Sequence, residues 1–196
     1  MINSRILVFI GLSLISCQKQ SENKNEVTSS VSGNTISSEK TNDFAIVIHG
    51  GAGTILKRNM SAERELEYKA KLEEAIRVGY SILEGGGNSL DAVEQTIMVL
   101  EDSPLFNAGK GAVFTNAETN ELDASIMDGK TLNAGASAGT KTVKNPITLA
   151  RKIMEESPHV MLAGEGSDIF AEQQGLNTVE PSYFWTEGRI KALDRI

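Results

Sequence analysis

The sequence predicts an α+β fold. Two long helical patterns follow one another, several short strand patterns come next, and helices return towards the end of the chain. An α/β protein would alternate strands and helices instead. The 196 residues are 40% hydrophobic and 23% charged, which is the composition of an ordinary globular protein of one domain or slightly more.

The helical patterns begin at capping residues. Ser61 is predicted to cap a helix that runs to about Glu84, because acidic side chains occupy its first turn and apolar ones form a stripe. Three glycines end this helix, and a second one is predicted from Asn88 or Ser89 to a point before Pro104. Two further helices are predicted at 145–156, with Asn145 as the cap before Pro146, and at 167–174.

The strand patterns are short. Residues 44–49 form a continuous apolar run that is rich in β-branched side chains and ends at glycines, which predicts a buried strand. The stretches 111–115, 121–127 and 134–138 are separated by polar or glycine-containing turns, so we expect an antiparallel run of strands. One more strand is predicted at 160–163.

Composition excludes several kinds of partner and site. Lys and Arg number 19 against 26 Asp and Glu, a net charge of −7, so the sequence predicts no binding to nucleic acid. A single cysteine, Cys17, and two histidines, His49 and His159, are too few for a disulfide framework or a Cys/His zinc cluster. The 18 glycines are the less ordinary feature, and they indicate tight turns or close backbone contacts.

The first 16 residues have the outline of a secretory signal peptide. A positive charge at Arg5 precedes a short apolar run, which is too short to span a membrane as a helix. The segment ending at Cys17 resembles a bacterial lipobox, which implies cleavage before Cys17 and a lipid on that cysteine. We therefore expect a lipoprotein of the bacterial envelope that faces the periplasm and touches the membrane only through this lipid; the alternative is a plain signal peptide with an incidental cysteine.

The next segment, residues 17–42, is rich in Ser, Asn, Lys, Glu and Thr and contains few apolar side chains. Such a segment cannot bury enough apolar surface to offset the entropy lost on ordering. It is predicted to be a flexible, lipid-anchored tether. The folded domain is therefore predicted over residues 43–196.

Two glycine-containing motifs suggest a serine hydrolase. His49-Gly-Gly-Ala-Gly53 follows a predicted strand, as an oxyanion-hole loop would, and Gly135-Ala-Ser137-Ala-Gly139 fits the nucleophile-elbow pattern. That fold requires an acid and then a histidine after the serine, but no Asp lies between Ser137 and His159 and no histidine follows. The order of residues therefore favours Ser137 as a small strand residue, and a serine hydrolase stays the third hypothesis.

Residues 100–115 join helix to strand through a proline and two glycines. The apolar side chains of Leu105 and Phe106 are expected to turn inward, which brings the carbonyl groups of the loop towards one another. Converging carbonyls suit a hard cation. From the spacing alone, a tight connection whose carbonyls meet water is the favoured interpretation.

Five motifs in order resemble the plant-type L-asparaginase and isoaspartyl peptidase family. They are HGGAG at 49–53, GGNSLDAV at 86–93, SPLFNAGKGAVFT at 103–115, ELDA at 121–124 with MDG at 127–129, and SPHV at 157–160 before GEG at 164–166. The resemblance runs from about Phe44 to Gly175. It implies an αββα sandwich of the N-terminal-nucleophile hydrolase type, whose precursor cuts itself to free a catalytic threonine.

The resemblance also implies roles for individual residues. His49, Gly50, Gly51 and Asn107 would lie near the threonine and support it without reacting. It implies no organic cofactor but a structural sodium ion, bound by main-chain carbonyls. The implied sodium ligands are Leu100, Glu101, Ser103, Phe106, Ala108 and Lys110.

The nucleophile itself is missing. In the family it lies in a Gly-Thr-Val-Gly type of segment that starts the β-subunit, and this sequence contains no such segment. The chain thus resembles the α-subunit region of a longer enzyme and is expected to form an incomplete sandwich, with no catalytic residue of its own. It is either a fragment or a natural truncation.

The expected partner is a β-subunit from the same precursor, in an (αβ)₂ assembly. The expected substrate is asparagine or a β-aspartyl dipeptide, and the sequence leaves the choice between them open. The rival hypothesis is a non-catalytic envelope lipoprotein that retains the fold.

Overall fold

The computed structural model describes residues 43–52 and 56–195 and confirms the α+β class. The predicted signal peptide, Cys17 and the tether lie outside these residues. No helix within the described ranges is long and apolar enough to cross a membrane. The helices and strands are α1 (Ala62–Glu84), α2 (Ser89–Glu101), β1 (Leu122–Met127), β2 (Ala134–Thr140), α3 (Pro146–Glu156), β3 (Met161–Ala163), α4 (Glu165–Gln173) and α5 (Glu187–Leu193).

In the described part of the chain the strands form one sheet of order β1-β2-β3. β1 and β2 pair antiparallel, with Ser125 opposite Ala136, which confirms the predicted hairpin. β3 adds to β2 in parallel, with Leu162 beside Ser137. On β1, Leu122 and Ile126 are buried while the residues between them are more exposed, so one face of the sheet is covered.

The first two helices begin where their capping residues predict. The Ser61 hydroxyl accepts the Arg64 N–H at 3.2 Å, and the Asn88 side chain accepts the Asp91 N–H at 2.8 Å. These bonds satisfy donors that the first turn of a helix leaves without a partner.

The cap of α3 differs from the prediction. Pro146 occupies the first turn as expected, but the Asn145 side chain makes no capping bond. The carboxylate of Glu101, at the end of α2, accepts the Ile147 N–H instead, at 3.0 Å. A side chain distant in sequence therefore caps this helix.

The prediction of a buried strand at residues 44–49 is wrong in its burial. The segment is extended, but it has no strand partner in the described residues, and its side chains alternate between covered and exposed. The Phe44 ring packs on Tyr80 with centroids 5.2 Å apart, whereas Val47 is 90% exposed. The apolar run thus has only one of its two faces covered by the rest of the protein.

The prediction of a strand at 111–115 is also wrong. The chain forms a short 3-10 turn at Gly109–Gly111, and in this stretch Phe114 makes an isolated bridge to Asn120. The cause is the close packing of Gly109 on the Glu101 carbonyl and of Gly111 on the Phe106 carbonyl, which bends the backbone away from a strand.

Helix α3 is the centre of the core, and it lies directly on the backbone of β2. A Cβ atom added at Gly135 would come within 2.1 Å of the Ala150 carbonyl oxygen and 2.6 Å of the Met154 nitrogen. Around this contact, the buried side chains form two clusters that share α3. Their buried members are Ile126, Ile147 and Ala150 in one, and Val143, Leu149, Ile153 and Ala171 in the other.

The segment after α4, to which the sequence analysis assigned no element, folds back over the sheet. Its Val179 N–H donates to the Thr142 carbonyl at 2.7 Å. The Phe184 side chain is fully buried against Ala112 and Leu122. This third cluster is followed directly along the chain by α5.

We predict that Gly135→Ala destabilises the protein by about 1–3 kcal/mol, because the added methyl group meets backbone atoms that cannot move aside. The free energy of unfolding, measured by urea denaturation, tests this. Gly129→Ala is the matched control, since a Cβ there meets no atom within 4 Å. Equal stability of the two variants would contradict the proposed close packing.

Candidate active site and cation loop

Residues 100–111, here called the cation loop, are held against helix α1. The Tyr68 hydroxyl donates to the Leu105 carbonyl at 2.8 Å. The Tyr68 ring also meets the Phe106 ring edge-on, with centroids 5.6 Å apart. Phe106 is buried and Leu105 is half-buried, as their apolar side chains predict.

The glycines of the cation loop bring its own carbonyls close. At Gly109, which has a φ of +48°, an added Cβ would lie 2.3 Å from the Glu101 carbonyl oxygen. At Gly111 it would lie 2.1 Å from the Phe106 carbonyl oxygen. The loop therefore folds upon itself around carbonyl oxygens that only glycine can approach so closely.

This arrangement fits a cation bound by main-chain oxygen. Two further candidate ligands, the carbonyls of Leu100 and Ala108, accept backbone N–H groups of Ser103 and Gly111 at 3.2 and 3.1 Å, which keeps the loop tight. The residues that the structure describes include no cluster of three or more His, Cys, Asp or Glu side chains suited to a metal. Hard cations such as Na⁺ prefer oxygen ligands, and the loop offers main-chain ones.

The glycine-rich loop after residue 48 lies beside the cation loop. The His49 side chain accepts the Gly51 N–H at a long 3.4 Å, and Gly51 has a φ of +120°, which favours glycine. An added Cβ at Gly50 would lie 3.0 Å from the Leu72 side chain and 3.6 Å from the Phe106 ring. The backbone of this loop thus packs on α1 and on the cation loop together.

An open cavity of about 730 Å³ brings the predicted support residues together. His49, Gly50, Gly51 and Asn107 all line it. The Asn107 side-chain oxygen accepts the Val113 N–H at 2.9 Å, which fixes the orientation of its amide. The residues chosen from the sequence therefore share one concave site, although their roles there remain predictions.

Ser137 does not share that site. It lies in the middle of β2, is 2% exposed, and its hydroxyl oxygen has no hydrogen-bond partner among the described residues. His159 is exposed, and its backbone N–H donates to the Ser157 hydroxyl. A buried hydroxyl on a regular strand lacks the exposure and the general base that a serine nucleophile requires.

The Glu101 side chain, near the start of the cation loop, is buried. One carboxylate oxygen accepts the Ile147 N–H, and the other has no hydrogen-bond partner among the described residues. Burial raises the pKa of Glu101 to about 8. The neighbouring Asp102 carboxylate is exposed and pairs with Lys144 at 2.8 Å.

Sequence reasoning missed two side chains at this site. Tyr68 belongs to the apolar stripe of α1, and nothing in that pattern distinguishes its hydroxyl. Arg189 in α5 also lines the cavity, and its Nε donates to the Gly111 carbonyl at 2.7 Å. No motif surrounds Arg189, so only the fold reveals this contact.

Comparison with known proteins identifies the family of the chain. The family model described as "Asparaginase" matches residues 42–196. The isoaspartyl peptidase of Escherichia coli is 49% identical over 148 residues, which cover 76% of this chain and 46% of that protein. The plant-type L-asparaginase of Pyrococcus horikoshii is 50% identical over 147 residues, which cover 75% of this chain and 46% of that protein.

A eukaryotic relative gives the same result. The putative isoaspartyl peptidase/L-asparaginase of Dictyostelium discoideum is 47% identical over 150 residues, 76% of this chain and 43% of that protein. The chain belongs to the asparaginase family that includes these isoaspartyl peptidases and plant-type L-asparaginases. It spans about half the length of the relatives it matches.

We predict that Glu101 makes stability fall as pH rises. Its pKa is raised in the folded state, so its stabilising contribution is present below about pH 4.5 and is lost as pH rises through about 8. Glu101→Gln should not show this loss. Its free energy of unfolding, relative to that of the wild type, should therefore increase by a few kcal/mol between pH 5 and pH 9.

Urea denaturation in sodium-free buffers at a series of pH values measures this effect. Glu84→Gln, at an exposed position at the end of α1, controls for the loss of a carboxylate elsewhere. A constant stability difference between Glu101→Gln and the wild type across this range would contradict the prediction.

Proposed function

We propose that this chain is the α-subunit region of an isoaspartyl peptidase or L-asparaginase. The observation that carries the proposal is the meeting of His49, Gly51 and Asn107 in one cavity beside the cation loop. The names of the relatives support the same reaction class. The reaction would hydrolyse the side-chain amide of asparagine or a β-aspartyl peptide bond.

The reacting threonine would come from the second half of the enzyme. Its hydroxyl would attack the amide carbon while its own α-amine takes the proton. The C–N bond would then break, and the nitrogen would leave with that proton, as ammonia from asparagine or as the amine of the released residue from a β-aspartyl peptide. Water would hydrolyse the resulting ester, which releases aspartate and restores the threonine hydroxyl. Residues of this chain would position that threonine. The Asn107 side chain, whose oxygen accepts the Val113 N–H, and the backbone of His49–Gly51 would do so.

The segment at residues 44–49 offers the second half a place to pair. It is extended, has no strand partner in the described residues, and presents Val47 at 90% exposure. Exposed edges of this kind take up further strands through their backbone N–H and C=O groups. Pairing there would complete the αββα sandwich and join the two subunits, and two such units would form the (αβ)₂ assembly.

The proposed ion is sodium, held by the main-chain carbonyls of the cation loop. The ion would supply charge that keeps these oxygens together and would take no part in the bond cleavage. The proposed ligands are those implied by the family resemblance: Leu100, Glu101, Ser103, Phe106, Ala108 and Lys110.

A chimaera tests the proposed reaction. Residues 43–196 of this chain replace the matching half of the Escherichia coli isoaspartyl peptidase, which then supplies the second half. We expect hydrolysis of a β-aspartyl dipeptide or of asparagine, measured as released aspartate, and no turnover by the 196-residue chain alone. Asn107→Ala in the chimaera should reduce kcat about 100-fold, because the threonine loses its positioning group.

Ser137→Ala in the same chimaera is the matched control and should retain full turnover. Thermal melting of both variants distinguishes a loss of turnover caused by the missing side chain from one caused by unfolding. A folded chimaera without turnover would favour a non-catalytic protein that retains the fold. Turnover that depends on Ser137 would revive the serine hydrolase.

We further propose that the chain is anchored in the bacterial envelope through a lipid on Cys17. The order of charge, apolar run and cysteine in the first 17 residues supports this. Cells given radiolabelled palmitate should incorporate the label into the wild type and not into Cys17→Ala. Equal labelling of the two, or none in the wild type, would contradict the lipid anchor.

A further inference from the structure

We propose that Tyr68 and Arg189 are positioning residues that set the affinity of the cation loop for its ion. This inference rests on the cation site proposed above. The Tyr68 hydroxyl donates to the Leu105 carbonyl at 2.8 Å, and the Arg189 Nε donates to the Gly111 carbonyl at 2.7 Å. We call these two hydrogen bonds the loop ties.

The loop ties act on carbonyls beside the proposed ligands. Leu105 directly precedes Phe106, and Gly111 directly follows Lys110. Each tie fixes the planar peptide group to which its carbonyl belongs. Only the φ and ψ angles of one residue separate that plane from the adjacent ligand carbonyl, so the tie also restrains the ligand carbonyl. Neither tied carbonyl is a proposed ligand, and each tie therefore restrains the loop without occupying an oxygen that the ion needs.

The first tie comes from a well-supported position. Tyr68 belongs to α1, a helix of 23 residues, and its ring is packed edge-on against Phe106. The Arg64 guanidinium also lies 5.1 Å from the centre of the Tyr68 ring. The hydroxyl therefore meets the loop from a side chain held on more than one side.

The second tie comes from the opposite end of the chain. Arg189 is carried by α5, which begins three residues after the fully buried Phe184. Next to Phe184, the Tyr183 ring lies 5.1 Å from the Lys110 ammonium, so the same segment contacts the loop twice. Residues 68 and 189 thus restrain the loop from two elements that only the folded chain brings together.

The energetic consequence is preorganisation. Without the ties, the loop must adopt its carbonyl geometry when the ion binds, and that ordering reduces affinity. Loss of one hydrogen bond of this kind should raise the sodium concentration needed for half-maximal binding roughly fivefold. Loss of both hydrogen bonds should raise this sodium concentration by less than the product of the two single increases, since the ties restrain the same loop.

The test uses the 196-residue chain and the variants Tyr68→Phe and Arg189→Gln. Tm is measured in rising NaCl, with tetramethylammonium chloride keeping the ionic strength constant, because an ion that binds the folded state raises Tm with concentration. Broadening of the ²³Na NMR signal gives a second measurement of binding. Tyr80→Phe, half-buried on the same helix, and Lys191→Gln, exposed on α5, are the matched controls.

We expect both tie variants to need about five times more sodium than the wild type for the same rise in Tm, while the controls stay within about twofold of the wild type. A lower Tm in every salt, with the same rise in Tm at each sodium concentration as in the wild type, would assign the ties a merely structural role and overturn the inference. A wild type without any sodium-specific shift would overturn it as well. The measurement involves no turnover, so failure of the proposed hydrolase would appear separately, in the chimaera.

Discussion

The carboxylate of Glu101 connects the functional loop to the core. The main chain of Glu101 ends α2 within the cation loop, while its side chain caps α3 at the Ile147 N–H. α3 in turn lies on the backbone of β2, where only glycine fits at residue 135. The position of the loop is therefore set by the same helix that organises the sheet.

That connection has an energetic cost. A carboxyl group taken out of water and given one backbone donor is poorly solvated, which is why its pKa is raised to about 8. Asp102, one residue on, is exposed and paired with Lys144, so adjacent acidic side chains lie in opposite environments. The fold tolerates the cost at Glu101 because the bond closes the junction between two helices and the loop.

The sequence was most informative where structure is local. Ser61 and Asn88 predicted two helix starts, because a cap depends on donors within the next three residues. It was less informative at residues 44–49 and 111–115, where burial and bending depend on partners distant along the chain. The family resemblance selected His49 and Asn107, which share a cavity, but Tyr68 and Arg189 act through carbonyls whose neighbours only the fold defines.

The chemistry of the cation loop has a consequence for how this sequence can change. Oxygens of the main chain are the same in every amino acid. Proposed ligand positions whose side chains do not hold the loop, unlike Glu101 and Phe106, can therefore vary without altering the atoms offered to an ion. Gly109 and Gly111 lack that freedom, since any side chain would collide with the Glu101 and Phe106 carbonyls. Over evolutionary time the loop should therefore be recognisable by its glycines more than by its ligands.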